Sequence, residues 1–368
     1  MKSIFSQTTK SAVQNGLTKR SARRYSIAVI VRLPGVHLRM KRFSVHAVPV
    51  SLLLALAVAP FPVRSETGTP ARAMRWAYLT DSSPVVSPVT RADERPLTGY
   101  TVAALAGFAI DRNGGLARKP SRARAFAEAA GISGTLFVPV LTFTSPAEGA
   151  HLLYSPAARA RAVKEIIDCV ASFRARGVHL DFEYLAPERA GDLVSFVSEL
   201  RAALKAHDGA CSLSMALFPQ IGFPRKWAGF HDFARLAPLL DEAVLMCYDL
   251  HRRGTTPGPV VSVSWAEENV KHALRYFLPE KLWLGVPAYG YSWTAVGVEV
   301  VSARAGVRKA ALHGGARHES GCLYYEHRRG KEMIKTYIAD SHTRRELETL
   351  ALKMGLKGTA IWRLGLED

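Results

Sequence analysis

The stretch Gly177-Val178-His179-Leu180-Asp181-Phe182-Glu183-Tyr184 alternates apolar and polar side chains with the two-residue period of a β-strand. Because successive strand side chains point to opposite faces, the imidazole and both carboxyl groups share one face, away from the valine, leucine and phenylalanine. Burying paired acids is costly unless they share a proton or accept hydrogen bonds, so such a pair indicates a functional site. A satisfied structural network, or a strand that turns these residues outward, is the alternative interpretation.

Short apolar strands alternate with helical patterns on both sides of this stretch. Eight strands are predicted, at residues 75–79, 101–110, 134–144, 178–184, 211–218, 243–248, 281–288 and 358–364. Helices are predicted at residues 121–130, 155–176, 190–207, 231–239, 265–278 and 344–354. The alternation predicts a parallel sheet, and eight strands predict an α/β fold of the (β/α)8 TIM-barrel type. A doubly wound open sheet is the alternative, but residues 80–84 after the first strand lack its glycine-rich phosphate loop.

The regular alternation is interrupted between strands 7 and 8 of the predicted barrel. Residues 294–336 are longer than an ordinary connection between a strand and a helix. They contain candidate short strands at 299–302, 322–327 and 334–339. We therefore predict a barrel over residues 74–368, with residues 294–336 forming a small α+β subdomain inserted within it.

The basic character of the chain is concentrated at its N-terminal end. The formal net charge is +18, but residues 1–65 carry eleven Lys and Arg and no acidic residue, which leaves +7 for residues 66–368. The short basic runs at 252–253 and 327–331 have no aromatic platform beside them. We therefore predict no nucleic-acid partner, and we interpret these runs as solvated loops or as contacts to an anionic cell-wall polymer.

An export signal is predicted within this basic end. Met40 opens a short basic stretch, residues 47–63 are uncharged, and Val63 and Ser65 suit a signal-peptidase cut before Glu66. Residues 40–65 are therefore predicted to be a signal peptide or a retained N-terminal anchor, the one predicted contact with a membrane. Residues 1–39 form a basic leader that is not translated if Met40 is the true start. The protein is expected in the periplasm, the cell envelope or the extracellular space.

The cysteines give no sign of a metal site. Cys169, Cys211, Cys247 and Cys322 form no CxxC pair and have no metal-finger spacing. Their disulfide state is left open, and no metal or cofactor is predicted.

Three further segments carry polar and aromatic residues near the ends of predicted strands. They are Met246-Cys247-Tyr248-Asp249, the run Gly285-Val286-Pro287-Ala288-Tyr289-Gly290-Tyr291-Ser292-Trp293, and the C-terminal residues 358–368 around Trp362. Together with Gly177–Glu183 they resemble, in the same order, the strand motifs of glycoside hydrolase family 18, the chitinase family. The resemblance extends over residues 74–368 and is nearest to the bacterial branch that includes spore-cortex and other peptidoglycan-directed N-acetylglucosaminidases.

The resemblance implies a retaining glycosidase that cleaves β-1,4 bonds at N-acetylglucosamine-type residues with help from the substrate. Glu183 would be the general acid, and the nucleophile would be the carbonyl oxygen of the sugar's own acetamido group. Asp181 would hold the acetamido N–H, and Tyr248 would fix the acetamido carbonyl. These three residues are the predicted catalytic set.

The resemblance also implies a substrate-binding set around the attacked sugar. Trp362 would form the floor of the subsite, and Met246, Asp249 and Tyr289 would line it. His179 stands where the family usually has an aspartate. We expect a neutral His179 to donate a hydrogen bond to Asp181, whereas a protonated His179 would lower the pKa of Asp181. Arg176 replaces another family aspartate and is expected at the base of the strand.

Two other classes of protein fit part of the pattern. A non-catalytic chitinase-like lectin would usually lack the acid that Glu183 provides. A metal-dependent hydrolase would use His179, Asp181 and His251, but these lack the paired spacing of metal-binding histidines.

The substrate stays open between chitin oligosaccharides and peptidoglycan, and so does endo against exo cleavage. We expect a monomer that binds a glycan containing N-acetylated hexosamine. Aromatic residues that are predicted either to stack on sugars or to pack between helices are Trp227, Phe230, Trp265 and Trp293.

Overall fold

A closed barrel of eight parallel strands forms the centre of the molecule in the computed structural model, which describes residues 74–84 and 97–368. The barrel strands, in chain order, are β1 (Met74–Leu79), β2 (Val102–Ile110), β4 (Leu136–Phe143), β5 (Gly177–Leu180), β6 (Ser212–Leu217), β7 (Glu242–Leu245), β8 (Leu282–Pro287) and β14 (Gly358–Trp362). β1 pairs with both β14 and β2, which closes the cylinder. The predicted (β/α)8 fold is therefore confirmed. The predicted leader, the signal segment and the start at Met40 lie outside the described residues.

Helices cover the outside of this barrel. They are α1 (Ala123–Ile132), α2 (Pro146–Tyr154), α3 (Pro156–Phe173), α4 (Ala190–His207), α5 (Arg225–Ala228), α6 (Phe233–Leu236), α7 (Val263–Ala273) and α9 (Ser341–Lys353). α3 begins as predicted, because the Ser155 side chain accepts a hydrogen bond from the Ala158 N–H at 3.3 Å and Pro156 occupies the first helical position. Among the described residues, no helix combines the length and the apolar character needed to cross a bilayer.

A second sheet is inserted between β8 and α9. Its five antiparallel strands are β9 (Tyr289–Thr294), β10 (Gly297–Ser302), β11 (Ala316–Arg317), β12 (Leu323–Arg329) and β13 (Glu332–Ile338), and α8 (Ala303–Leu312) packs on it. A short strand, β3 (Leu116–Arg118), pairs with the outer end of β2. The inserted sheet already begins at Tyr289 and so exceeds the predicted bounds of 294–336. The reason is that β9 follows β8 after the single residue Ala288, so no loop separates the two sheets.

The strand that carries the polar stretch is short and closely packed. β5 ends at Leu180, so Asp181 and Glu183 lie just beyond it rather than within a strand reaching residue 184. Gly177 has φ +155°, and a Cβ there would lie 2.0 Å from the Ser212 carbonyl oxygen. Glycine is therefore required where β5 meets β6.

Two apolar layers lie on the two sides of the barrel wall. The outer layer, between strands and helices, includes Val178, Leu180 and Phe182. The inner layer is made of side chains such as Trp76 and Trp283, and His179 contacts the first of them edge-on. The polar face of the β5 stretch therefore points into the barrel, as the alternation predicts.

Candidate active site

An open cleft of about 190 Å³ lies over the carboxyl ends of the barrel strands. Seven of the eight predicted site residues line it, namely Asp181, Glu183, Met246, Tyr248, Asp249, Tyr289 and Trp362. The eighth, His179, lies deeper and is fully buried. Lining residues that the sequence analysis did not select are Tyr78, Tyr184, Phe218, Phe223 and Arg252. Active sites of TIM barrels lie at this end of the strands, so the cleft is the candidate active site.

The two carboxyl groups that follow β5 form a hydrogen-bonded pair at the floor of the cleft. Burial raises the pKa of Asp181 to about 6, and the hydrogen bond with Glu183 opposes that rise. Burial raises the pKa of Glu183 well above its usual value, and the charges of Asp181 and Asp249 raise it further. Both carboxyl groups therefore favour the protonated form more than a free carboxyl group does, and the charge of Asp181 adds to this effect at Glu183.

His179 is held between two hydroxyl groups beneath this pair. Its Nε2 lies 2.8 Å from the Tyr78 hydroxyl and its Nδ1 lies 2.9 Å from Ser214 Oγ. Ser214 Oγ donates its own proton to the Val178 carbonyl oxygen at 3.2 Å, so Nδ1–H donates to Ser214 and Nε2 accepts from Tyr78. Burial lowers the pKa of His179 to about 3, and the ring is neutral.

This arrangement corrects the expectation for His179. Both ring nitrogens are occupied by Tyr78 and Ser214, so His179 donates no hydrogen bond to Asp181, and its low pKa removes the protonated alternative. The physical reason is depth, because His179 lies two residues below Asp181 and reaches hydroxyl groups on β1 and β6. Tyr78 lies between His179 and the carboxyl pair, since it lines the cleft. Its pKa is raised by burial and by the charges of Asp181 and Glu183.

A second acidic site lies at the end of β7. Asp249 accepts hydrogen bonds from the hydroxyl groups of Tyr289 at 2.5 Å and Tyr291 at 2.8 Å. Burial raises the pKa of Asp249, while these two hydrogen bonds and the charge of Arg252 oppose the rise. Tyr248 is buried beside them, with its ring edge against Tyr289 at 6.5 Å between centroids. The first strand of the inserted sheet thus supplies two of the hydroxyl groups that hold a cleft carboxylate.

Aromatic side chains form one wall of the cleft. Tyr184 is half exposed, and its ring lies 5.4 Å from Phe218 and 5.6 Å from Trp227. Tyr184 opposes the rise in the pKa of Glu183 and so favours the charged carboxylate. Tyr184 and Asp249 have φ values of 60° and 59°, which places both in the left-handed region of the backbone. Each of them directly follows a predicted catalytic residue. Such conformations are uncommon outside glycine and cluster at functional sites.

The structure separates the aromatic residues that were predicted as stacking platforms. Phe230, Trp265 and Trp293 are buried, so the stacking interpretation is wrong for all three. Trp265 instead donates its indole N–H to the Ile221 carbonyl oxygen at 2.7 Å. Trp227 is half-buried against the aromatic wall beside the cleft.

The other residues considered from the sequence, namely Arg176, His251 and the cysteines, do not line the cleft. Arg176 is exposed immediately before β5, at the base of the strand as expected. His251 binds the Thr256 carbonyl oxygen through Nδ1 at 3.0 Å. Within residues 74–84 and 97–368, no group of three or more His, Cys, Asp or Glu is arranged to hold a metal ion. All four cysteines are buried free thiols.

Three residues at or near the site, Tyr78, Tyr291 and Arg252, were not predicted from the sequence, although their positions relative to the strands could have indicated them. Tyr78 is one residue from the end of β1 and faces inward, as alternation from the buried Trp76 would predict. Tyr291 lies within the recognised segment 285–293, two residues after Tyr289 and on the same strand face. Arg252 follows the β7 motif by three residues, but its basic neighbour made the pair look like a solvated loop. Position at or after the carboxyl end of a barrel strand is the signal for Tyr78 and Arg252, and alternation from Tyr289 is the signal for Tyr291.

Comparison with known proteins agrees with this geometry. Residues 145–367, more than half of the chain, match the sequence profile of Glycosyl hydrolases family 18. The chain is 24% identical over 245 residues to the putative sporulation-specific glycosylase YdhD of Bacillus subtilis, a match that covers 62% of this chain and 58% of that protein.

Two solved structures share the fold. The spore cortex-lytic enzyme SleL of Bacillus cereus superposes with a TM-score of 0.71 at 21% identity, covering 81% of this chain and 72% of that one. A chitinase from Chromobacterium violaceum superposes with a TM-score of 0.70 at 19% identity, covering 80% of this chain and 95% of that one. The profile match, together with a (β/α)8 barrel whose cleft contains the motif residues, establishes that the chain belongs to glycosyl hydrolases family 18.

Proposed function

We propose that the protein is a retaining glycosidase that cleaves β-1,4 bonds at N-acetylglucosamine-type residues by substrate-assisted catalysis. The observation that carries this proposal is the hydrogen-bonded Asp181–Glu183 pair at the floor of the cleft, with the pKa of Glu183 raised well above its usual value. A carboxyl group that keeps its proton near neutral pH can protonate a leaving oxygen. A lectin would have no need of such a proton donor.

In the first step, the carbonyl oxygen of the substrate's acetamido group attacks C1 of the same sugar. The bond from C1 to the glycosidic oxygen breaks, and that oxygen takes the proton from Glu183. Asp181, the more acidic group of the pair, acts as the carboxylate that accepts the acetamido N–H and offsets the positive charge of the oxazolinium ion. Tyr248 donates its hydroxyl hydrogen bond to the acetamido carbonyl and holds it in line with C1.

In the second step, the Glu183 carboxylate takes a proton from water as the water oxygen bonds to C1. The bond between C1 and the acetamido oxygen breaks, which restores the acetamido group and leaves the configuration at C1 retained. Tyr184 opposes the rise in the pKa of Glu183 and so favours the charged carboxylate that this step requires. One residue therefore serves first as acid and then as base.

The contact between Asp181 and Glu183 argues against the ordinary two-carboxylate mechanisms. Retaining enzymes with a protein nucleophile keep their two carboxyl groups about 5 Å apart, and inverting enzymes keep them about 6.5–9.5 Å apart. Here the two groups are hydrogen-bonded, which leaves no room for a sugar or a water between them. Attack by the substrate's own amide removes the need for a separated nucleophile.

The rest of the cleft supplies positioning groups. We propose that Trp362 forms the floor under the attacked sugar and that Met246, Asp249 and Tyr289 complete the subsite, since all four line the cleft. His179 acts indirectly, because its Nε2 accepts a hydrogen bond from the Tyr78 hydroxyl at 2.8 Å and Tyr78 lines the cleft.

The proposed substrate is a glycan with N-acetylated hexosamine, either peptidoglycan or a chitin-like polymer. The SleL protein is named as spore cortex-lytic and the Chromobacterium protein as a chitinase, which supports this class of substrate without choosing between them. Peptidoglycan lies outside the cytoplasmic membrane, so the proposal includes export and action in the periplasm, the cell envelope or the extracellular space. We propose that the protein acts as a monomer.

Product analysis by mass spectrometry tests the proposed function. Purified protein is incubated with chitin oligosaccharides, with the same oligosaccharides after deacetylation, and with peptidoglycan glycan strands. We expect cleavage of acetylated glycans only, because the nucleophile belongs to the acetamido group. Equal cleavage of the deacetylated oligosaccharides would refute substrate assistance, and binding of the acetylated glycans without any cleavage would favour the lectin.

A further inference from the structure

Arg252 brings a positive charge into the wall of the cleft. It is the one lysine or arginine among the described residues that line the cleft, where the ionisable neighbours are the acids Asp181, Glu183 and Asp249. Its charge opposes the rise in the pKa of Asp249, and it also lowers the pKa of Tyr184 against the larger effect of burial. The guanidinium is therefore close enough to act electrostatically on groups that would surround a bound sugar.

Most of the hydrogen-bonding capacity of this guanidinium is unused. Its Nη1 donates to the Asp249 backbone carbonyl oxygen at 2.9 Å, but in residues 74–84 and 97–368 Arg252 forms no ion pair with a carboxylate. A guanidinium has five N–H donors in a planar fork that matches the two oxygens of a carboxylate. Arg252 can thus accept a carboxylate from a ligand without giving up a partner in the protein.

Two aromatic rings hold the guanidinium in place. The Arg252 Cζ lies 4.8 Å from the centroid of the Phe223 ring and 4.5 Å from that of the Trp227 ring. Such cation–π contacts favour a weakly hydrated arginine with a fixed direction. A charge that is fixed before binding loses less side-chain entropy when it pairs with a ligand.

We propose that Arg252 binds a carboxylate carried by the sugar next to the attacked one, so that the protein prefers an acidic N-acetylated glycan over a neutral one. This inference rests on the proposed function and narrows its substrate. Peptidoglycan strands alternate N-acetylglucosamine with a sugar that carries a lactyl carboxylate, whereas chitin has no acid. The charges of the Asp181–Glu183 pair and of Asp249 would repel that carboxylate, and Arg252 offsets them.

The test pairs two enzymes with two substrates. The substrates are peptide-free peptidoglycan oligosaccharides with free lactyl carboxylates and the same oligosaccharides after methyl esterification. The enzymes are the wild type and Arg252→Gln, with Arg252→Lys as the conservative variant. Arg253→Gln is the matched control, because Arg253 is the exposed neighbour and donates only to the Val298 carbonyl oxygen at 3.2 Å.

We expect the wild type to favour the free acid over the ester by about 10- to 100-fold in kcat/KM, mainly through KM, the range of a charged hydrogen bond. Arg252→Gln should lose this preference, Arg252→Lys should keep part of it, and Arg253→Gln should keep all of it. A role of Arg252 limited to the backbone around Asp249 would lower the rates on both substrates equally. That result, with the preference intact in Arg252→Gln, would overturn the inference.

Binding measurements distinguish a failure of this inference from a failure of the proposed function. If no glycan is cleaved, the proposed function fails, and the dissociation constants of the acid and the ester are then compared on Glu183→Gln and on Glu183→Gln combined with Arg252→Gln. A preference for the acid that disappears with Arg252 supports the inference even then. Equal affinity for acid and ester in both proteins overturns it.

Discussion

Inside the barrel, a deep layer formed by His179 and an upper layer formed by Asp181 and Glu183 begin only two residues apart along the chain. Burial shifts the pKa values of these two layers in opposite directions. In the deep layer, burial lowers the pKa of His179 to about 3. In the upper layer, burial raises the pKa of Asp181 to about 6 and that of Glu183 well above its usual value. Desolvation disfavours the charged form in each case, which means loss of a proton for an imidazole and retention of one for a carboxyl group.

The partners of each layer decide what its proton can do. The deep layer is satisfied by the neutral hydroxyl groups of Tyr78 and Ser214, so His179 neither gains nor releases a proton at moderate pH. The carboxyl groups of the upper layer interact with each other, and the raised pKa of Glu183 leads us to predict that this group can donate a proton. We therefore predict that the deep layer provides structural support and that the upper layer transfers the proton.

The largest expected effect on turnover comes from removing the acid in the upper layer. Glu183→Gln keeps the shape of the side chain but cannot protonate a leaving oxygen, so we expect kcat to fall by about 10²- to 10⁴-fold. Oligosaccharide binding should persist. Turnover and calorimetric affinity for an acetylated oligosaccharide measure the two effects.

The same variant carries a stability signature. The pKa of Glu183 is higher in the folded than in the unfolded protein, so the folded protein binds more protons at this group. The contribution of Glu183 to stability therefore falls as pH rises above about 4.5. Glu183→Gln removes this loss and should unfold at a temperature equal to or above that of the wild type at pH 7. Glu188→Gln, at an exposed position in the following loop, should change neither property. A variant that keeps wild-type turnover would place the acid elsewhere.

The next largest effect is expected from Asp181→Asn. We expect kcat to fall by about 10²-fold, because the developing positive charge loses its counter-charge. The negative charge of Asp181 also raises the pKa of Glu183, so its removal lowers that pKa. The alkaline limb of the kcat profile should therefore move to lower pH.

Measurement of kcat from pH 4 to 9 checks this shift. The control is Asp168→Asn on the outer helix α3, where the carboxylate pairs with Lys164 at 2.7 Å in solvent. Its alkaline limb should match that of the wild type. An Asp181→Asn limb that stays in place would show that the two carboxyl groups do not share a proton, and the contrast between the layers would be lost.

The sequence predicted what depends on local periodicity. The alternation at 177–184 placed the polar side chains of β5 on the inner face, and the repeated strand–helix pattern predicted the barrel, because both follow from spacing along the chain. Depth within the barrel does not follow from spacing. For this reason the sequence could not tell that His179 would meet Tyr78 and Ser214 from other strands instead of Asp181.

The contribution of the inserted sheet was hidden for a related reason. Tyr289 and Tyr291 bind Asp249 from β9, which follows β8 after the single residue Ala288. The partners of Asp249 therefore come from residues about 40 positions away in sequence. Contacts over such separations are set by tertiary packing, which one sequence does not encode in any local pattern.

The smallest expected effect on turnover is in the deep layer. His179→Ala removes the partners of two buried hydroxyl groups and leaves a cavity, so we expect the free energy of unfolding to fall by about 2–4 kcal/mol. Turnover should fall by only about 10-fold, because His179 acts through Tyr78. His179→Asn can still bond to one hydroxyl and should restore part of both losses, which a purely space-filling role would not predict.

The pH dependence of stability isolates the charge of this histidine. The unfolded chain protonates His179 below about pH 6.5, but the folded protein does so only near pH 3, so the unfolded state binds more protons between these values. The contribution of His179 to stability must therefore fall as pH drops from 6.5 towards 3, and the stability of His179→Asn relative to wild type should rise over this range. His231, with a pKa lowered to about 4, adds the same sign to both proteins and cancels in the difference. Urea unfolding of wild type, His179→Asn and the exposed control His207→Asn at several pH values measures these slopes, and identical slopes would mean that the deep layer takes up a proton after all.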